Sequence, residues 1–174
     1  MCEVVQGAAT SEATLQRVRT VLETFGIRPV ICRDVPGFVF NRLHLALVRE
    51  ALALLRDGVA SLGDIEDTVK LGFGARFPAM GPFEYLDLSG LDLIAAVATA
   101  VYPHLDCSPD AASGPLADQI AQGPLGMKAD RGFHEWPGDS PAAFTQRRDE
   151  EIIRRRKILR DEQRKRTTQG DEER

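Results

Sequence analysis

Asn41 is the residue whose type and position most suggest chemistry. It lies in the run of residues 34–43, DVPGFVFNRL. Pro36 disfavours helical backbone at the residue before it and Gly37 permits a sharp turn, so the run predicts an extended segment that passes into a helix. That helix, predicted over residues 38–55, is apolar on almost every side, which is typical of a core helix. An amide on its first turn can be a cap or a structural hydrogen-bonding group, and it is the first candidate for a functional role.

The ionisable residues elsewhere are weaker candidates. His44 falls on the apolar side of the same helix, so we expect a core histidine rather than a catalytic one. His104 lies in a predicted loop and indicates no function. Three acidic residues surround a predicted helix start and are interpreted as caps: Glu84, Asp87 and Asp92.

The cysteines do not predict a metal site. Cys2, Cys32 and Cys107 are odd in number and lack CxxC spacing, which disfavours a disulfide framework or a zinc site. We interpret them as small core or surface residues. No other group of side chains has metal-ligand spacing, so we expect no metal.

Hydrophobic periodicity and helix-ending residues predict the elements that must position Asn41. A helix capped by Ser11 carries Leu15 on its apolar face and ends at Gly26, and a short strand is predicted over residues 27–32. Further helices are predicted after the one that carries Asn41, starting at Ser61, Pro82, Leu91, Gly114-Pro115 and Ser140-Pro141, the last running towards Arg166. The architecture is therefore expected to be mainly α-helical, preceded by a short βαβ unit.

Composition predicts an ordinary globular protein. The 174 residues suit one core with a helical appendage, and the hydrophobic content of 43% and charged content of 28% are average. No apolar run reaches membrane-spanning length and no basic, then apolar, leader is present. We therefore expect a cytoplasmic protein with no membrane partner.

Charge is segregated along the chain. Residues 147–166 contain ten basic and five acidic residues, whereas residues 1–146 contain eleven basic and eighteen acidic residues. Such a helix could bind nucleic acid or the phosphates of coenzyme A, but aromatic residues are not interleaved with the charges. We favour a solvated helix that folds back on the acidic part of the chain, and we expect no nucleic-acid partner.

Three segments resemble, in this order, the C-terminal domain of NAD-dependent 3-hydroxyacyl-CoA dehydrogenases. They are residues 34–43 (DVPGFVFNRL), 80–92 (MGPFEYLDLSGLD) and 125–136 (LGMKADRGFHEW). The Arg76-Phe77 pair and the charged helix after Trp136 resemble the lambda-crystallin-type branch, which includes L-gulonate 3-dehydrogenase. The resemblance covers most of the chain.

The resemblance implies a fold and a domain organisation. It implies a helical domain like the C-terminal domain of 6-phosphogluconate dehydrogenase over residues 34–138. Residues 1–33 would be a strand-helix-strand remnant of a Rossmann nucleotide-binding domain, and residues 139–174 a charged helix and tail. The family's glycine-rich pyrophosphate turn has no counterpart here, so we expect most of the nucleotide-binding half to be missing and NAD not to bind this chain alone.

The resemblance also implies the chemistry, which is NAD-dependent oxidation of a 3-hydroxy group. In this family a histidine takes the hydroxyl proton, and a glutamate orients that histidine. Glu3 matches the glutamate, whereas the histidine is not encoded here. The alternative for Glu3 is an exposed acid near a disordered terminus. Asn41 matches the asparagine that binds the reacting oxygen of the substrate. Lys128 matches the family's Gly-x-Lys position, where it could neutralise a substrate anion or be an exposed structural lysine, and His134 stands where many relatives have tyrosine, as a packing residue.

Three functions remain open from the sequence. The favoured function is the substrate-binding and dimer-forming half of a 3-hydroxyacyl-CoA dehydrogenase of fatty acid metabolism. This half would be inactive without a nucleotide-binding half, which a separate chain could supply. Its substrate would be an acyl-CoA or a small hydroxy acid. The others are a noncatalytic helical oligomerisation or interaction module and a nucleic-acid binder.

Overall fold

The computed structural model describes residues 1–109, 113–123, 125–138 and 140–172, with side chains through Ile158 and again at Asp161. These residues form two compact units, 1–53 and 54–174. The first unit contains β1 (Cys2–Gln6), α1 (Glu12–Thr24), β2 (Pro29–Arg33) and most of α2 (Phe40–Arg56). The second contains α3 (Leu62–Asp67), α4 (Pro82–Ser89), α5 (Leu91–Val101), α6 (Pro115–Ala121) and α7 (Pro141–Glu172).

The first unit begins with the predicted βαβ arrangement. β1 and β2 pair in parallel from Cys2 opposite Pro29 to Gln6 opposite Arg33, and α1 connects them. The Ser11 hydroxyl accepts a hydrogen bond from the backbone N–H of Thr14 at 3.2 Å, which confirms the predicted cap.

The helix that carries Asn41 starts later than the sequence predicts. Gly37 and Phe38 both have positive φ angles, 77° and 47°, which helical backbone cannot adopt. The N–H of Leu43 donates to the carbonyl oxygen of Val39 at 3.1 Å, so Val39 is the N-cap residue and α2 begins at Phe40. The turn thus ends the extended segment and sets the direction of α2.

The expectation that this helix lies in a core is wrong for this chain. Phe40, Leu43 and Leu45 are exposed by more than half, whereas Ala53 is buried. His44, which we expected in the core, is also exposed, and its ring lies 5.8 Å from that of Phe40. Within the first unit, two short strands and α1 are too few elements to surround an apolar helix.

The second unit contains the remaining predicted helices. The Ser61 hydroxyl accepts from the N–H of Asp64 at 3.2 Å and caps α3, which continues into a π-helical turn at Thr68–Gly72 and a 3-10 turn at Phe73–Arg76. Glu84 caps α4, because its Oε2 accepts from the N–H of Gly81 at 2.6 Å. Gly90, with a φ of 91°, separates α4 from α5, and the two helices are bent by 109°. The mainly helical fold with a small parallel sheet at the N-terminus is confirmed.

No single helix among the described residues is long and apolar enough to cross a membrane; α4 together with the segment Leu91–His104 passes such a test only as a bent pair.

Candidate active site

Glu3 is hydrogen-bonded to the start of α2. Its Oε1 accepts from the backbone N–H of Val39 at 2.9 Å and from that of Phe40 at 2.8 Å. These N–H groups have no partner inside the helix, and a carboxylate is a favourable ligand for them because helix N-termini carry partial positive charge. Glu3 is half-buried on β1, so it is not the exposed terminal acid that the sequence left open as an alternative.

Glu3, and not Asn41, caps α2. Val39 occupies the N-cap position with an apolar side chain that cannot accept a hydrogen bond, and the carboxylate supplies the missing acceptor. The side chain of Asn41 is exposed and makes no hydrogen bond to any residue that the structure describes. Its amide therefore remains available both to donate and to accept hydrogen bonds.

The positive φ angle of Phe38 marks local strain at this helix start. A bulky residue in the left-handed region is uncommon, and such outliers persist where surrounding contacts hold them. The N–H of Phe38 donates to the carbonyl of Val35 at 3.1 Å, and the hydrogen bonds of Glu3 hold the next two residues. The backbone immediately before Asn41 is thus constrained from both sides.

Lys128 lies in the second unit, on a 3-10 turn at Met127–Ala129. It is exposed and its amino group makes no hydrogen bond to a described residue. The three residues predicted for the site therefore divide between the units. Glu3 on β1 and Asn41 on α2 belong to the first unit, and Lys128 belongs to the second.

A cluster in the second unit was not predicted from the sequence. Glu66 on α3 lies 3.0 Å from Nε2 of His134 and also pairs with Lys70. Hydrogen bonds from Lys70 and then His134 lower the pKa of Glu66 below its usual range. The ring of His134 packs edge-on against Trp136, which confirms a packing role for this histidine. No local signal reveals the cluster, because Glu66 and His134 are 68 residues apart in the chain.

The described residues contain no group of three or more histidine, cysteine or acidic side chains that could hold a metal ion. Cys2, Cys32 and Cys107 are free thiols, the first two half-buried and the third exposed.

The family model for the C-terminal domain of 3-hydroxyacyl-CoA dehydrogenase matches residues 37–136. 5-Formyl-3-hydroxy-2-methylpyridine 4-carboxylate 5-dehydrogenase of Mesorhizobium japonicum is 31% identical over 91% of this chain and 52% of its own length. 3-Hydroxybutyryl-CoA dehydrogenase of Clostridioides difficile is 34% identical over 78% of this chain and 47% of its own length.

A solved structure supports the same relationship. The crystal structure of 5-formyl-3-hydroxy-2-methylpyridine 4-carboxylic acid 5-dehydrogenase, an NAD+-dependent dismutase, superposes with a TM-score of 0.83. The two sequences are 30% identical, and the match covers 91% of this chain and 51% of that one. The chain thus spans about half the length of the relatives that it matches.

Proposed function

Because the chain belongs to the 3-hydroxyacyl-CoA dehydrogenase family through its C-terminal domain, we propose that it is the substrate-binding and dimer-forming half of an NAD-dependent oxidoreductase. The proposed reaction is oxidation of a 3-hydroxy group in an acyl-CoA or a small hydroxy acid. The observation that carries the proposal is the start of α2. There the carboxylate of Glu3 accepts hydrogen bonds from the backbone N–H groups of Val39 and Phe40, and Asn41 is the next residue.

Asn41 is proposed to bind the reacting oxygen of the substrate. Its free amide group can donate a hydrogen bond to an oxygen that changes from hydroxyl to carbonyl, which stabilises the charge that develops on that oxygen. Its position on a helix start held by Glu3 suits this task, because a donor must be fixed before the reaction to be effective. Lys128 is proposed to meet an anionic group of the substrate.

Glu3 is proposed to orient the histidine that removes the hydroxyl proton. Its Oε1 is engaged by Val39 and Phe40, but Oε2 makes no hydrogen bond to a residue that the structure describes. That second oxygen can accept from the imidazole N–H of a histidine supplied by the nucleotide-binding half. In this arrangement the chain contributes the positioning groups and the other half contributes the base.

NAD, the hydride acceptor in this family, does not fit the residues present. The connection from β1 to α1, residues 7–11, contains one glycine and lacks the glycine-rich turn that lets a pyrophosphate approach a helix start. We therefore assign the nucleotide to the other half and no step of its chemistry to this chain.

The small sheet supports a nucleotide-binding half as partner, either on the same polypeptide or as a separate chain. A parallel pair of strands is stable mainly as part of a larger sheet covered by helices. In the first unit, β1 and β2 pair only with each other. We propose that strands of the other half extend this sheet.

The apolar surface of α4 and α5 supports a dimer. The large exposed apolar side chains of α4, α5 and the turn at residues 102–104 are Phe83, Tyr85, Leu88, Leu91, Leu93, Val97, Val101 and Tyr102. Large apolar side chains exposed along two successive helices mark a protein interface, and a second copy is the proposed occupant.

The same surface also favours a second function, a noncatalytic helical oligomerisation module. Such a module would need the exposed faces of α4 and α5 but neither Asn41 nor Glu3. A nucleic-acid partner is not proposed. Glu151 pairs with Arg154 and Arg155, both at 2.6 Å, so part of the positive charge of α7 is compensated within the helix.

Activity in the presence and absence of the other half separates the two functions. The chain is produced alone and fused to the nucleotide-binding half of a full-length relative, and NADH formation is followed with 3-hydroxybutyryl-CoA and with small 3-hydroxy acids. We expect turnover from the fusion and none from the chain alone. A folded fusion that binds NAD but oxidises none of these compounds would contradict the oxidoreductase and support the noncatalytic module.

Titration calorimetry of the isolated chain tests the assignment of the nucleotide. We expect no heat of binding for NAD with the 174-residue chain. A site of micromolar affinity would contradict the assignment of NAD to the other half.

A further inference from the structure

The carboxylate of Glu3 joins two parts of the chain that are distant in sequence. Glu3 lies on β1. Its Oε1 accepts hydrogen bonds from the N–H groups of Val39 and Phe40, which lie 36 and 37 residues later in the chain. Both hydrogen bonds are shorter than 3.0 Å, and they reach the N-cap residue and the first residue of α2. The start of α2 is therefore tied to the sheet by one oxygen atom.

The N-cap residue of α2 does not cap the helix with its own side chain. The N-cap residue Val39 offers no side-chain acceptor, and the two residues before it, Gly37 and Phe38, have the positive φ angles of a tight turn. A helix start without a cap frays, because its first N–H groups then bond only to water. Asn41 follows Phe40 directly, so any fraying of this turn displaces its amide.

We propose that Glu3 is a positioning residue for Asn41. Oε1 holds the turn of α2 from which the Asn41 amide projects, while Oε2 is left to orient the catalytic histidine. The carboxylate of Glu3 then positions both groups that act on the substrate oxygen, the Asn41 amide and the histidine. The role at the substrate rests on the proposed function, whereas the tether itself is a property of this chain.

The tether is tested by amide hydrogen exchange on the isolated 174-residue chain, followed residue by residue by NMR. In Glu3→Ala, exchange at Val39 and Phe40 should become about 2- to 30-fold faster, the range that loss of a helix cap produces. In Glu3→Gln it should stay near the wild-type rate, because the amide oxygen of glutamine is an acceptor at the same position. Glu23→Ala, an exposed glutamate at the end of α1, is the control and should change neither rate.

Exchange at Leu15, the buried residue of α1, reports whether the variant is folded. If Glu3→Ala does not fold, Glu3→Asp replaces it, since a side chain one methylene shorter loses the reach to α2. Unchanged exchange at Val39 and Phe40 in a folded alanine or aspartate variant overturns the proposal. Equal acceleration in Glu3→Gln also overturns it, because the hydrogen bonds would then not be what holds the turn.

The positioning role is tested by double variants of the fusion with the nucleotide-binding half. Asn41→Ala should lower kcat by the same factor in Glu3→Gln as in the wild type, because the tether persists in both. It should lower kcat little further in Glu3→Ala, where the amide is already displaced. If Asn41→Ala lowers kcat by the same factor in the wild type, in Glu3→Gln and in Glu3→Ala, the positioning role is overturned.

The outcome also separates this inference from the proposed function. If Asn41→Ala leaves kcat unchanged in every background while Glu3→Ala still accelerates exchange, the tether stands and Asn41 has no role in the reaction. Such a result would contradict the proposed function and overturn the positioning role, but not the hydrogen bonds from which both were inferred.

Discussion

At the residue scale, the candidate site depends on two side chains with different tasks. One carboxylate oxygen of Glu3 accepts hydrogen bonds from two backbone N–H groups, whereas the amide of Asn41 has no hydrogen-bond partner among the described residues. An exposed amide with no internal partner contributes little to stability, so a substitution there can affect chemistry without affecting the fold.

Asn41→Ala should therefore separate activity from stability. In the fusion with a nucleotide-binding half, kcat should fall by about 10²- to 10³-fold, the usual cost of removing a donor to a developing oxyanion. The free energy of unfolding of the isolated chain should change by less than about 0.5 kcal/mol. Arg49→Ala, an exposed residue two turns further along α2, is the control for both measurements. Parallel losses of stability and activity, with unchanged kinetics of the folded fraction, would contradict the assignment.

Glu66 should make the stability of the second unit depend on pH. The hydrogen bonds of Lys70 and His134 lower its pKa, so the carboxylate stabilises the fold at neutral pH, and this contribution disappears as the pH falls through the lowered pKa. The difference in melting temperature between the wild type and Glu66→Gln should be largest well above the ordinary glutamate pKa of about 4.3 and should shrink as the pH falls below it. Asp67→Asn on the same helix is the control, and a difference that does not shrink with falling pH would contradict this coupling.

At the element scale, the segment between α3 and α4 brings two turns of backbone close together. It contains a π-helical turn followed directly by a 3-10 turn. Gly74 lies so close to the preceding turn that a Cβ atom would sit 2.2 Å from the carbonyl oxygen of Val69. The close approach of these two turns requires glycine at this position.

Gly74→Ala should consequently destabilise the chain, whereas Gly63→Ala should not. The clash at Gly74 is with backbone and cannot be relieved by a side-chain rotation, so we expect a loss of about 1–3 kcal/mol in the free energy of unfolding. Gly63 lies inside α3, where the nearest atom to a Cβ would be 3.9 Å away, so alanine should be neutral or stabilise by about 0.4–1 kcal/mol. Urea denaturation of both variants measures these values, and equal stabilities would contradict the packing of the two turns.

At the scale of the whole molecule, the chain has more apolar surface than its own elements cover. The buried hydrophobic side chains among the described residues are Leu15 and Ala53, whereas α4 and α5 each expose several large ones. Burial of apolar surface provides most of the free energy of folding and association, so a surface of this kind is expected to be covered by another chain.

We predict that the isolated chain self-associates through α4 and α5. Light scattering should show a dimer, and Leu88→Glu should shift it to monomer because the charge would be buried in the interface. Leu71→Glu is a matched control, since Leu71 and Leu88 are both 76% exposed in the single chain but Leu71 lies outside these helices. A monomeric wild type at high concentration, or equal effects of the two substitutions, would contradict this interface.

The sequence by itself determined the local structure and the family. Ser11, Ser61 and Glu84 form caps as predicted, whereas Asp87 and Asp92, also interpreted as caps, make no hydrogen bond to a described residue. The bounds of most helices follow the predicted starts and stops. Such features depend on hydrogen bonds between residues three or four positions apart, so a short stretch of sequence contains the whole interaction. The three ordered segments were likewise sufficient to identify the C-terminal domain of the family.

Only the tertiary structure decided which polar groups meet. The hydrogen bonds of Glu3 to the start of α2 and the pair of Glu66 with His134 join residues 36 to 68 positions apart. No periodicity or cap pattern encodes such a distance, because it depends on the path of the chain between the two residues. The exposure of α2 also depends on the path of the chain. Its apolar sequence indicates that the helix can be buried, but the elements that pack beside it decide whether its side chains are covered.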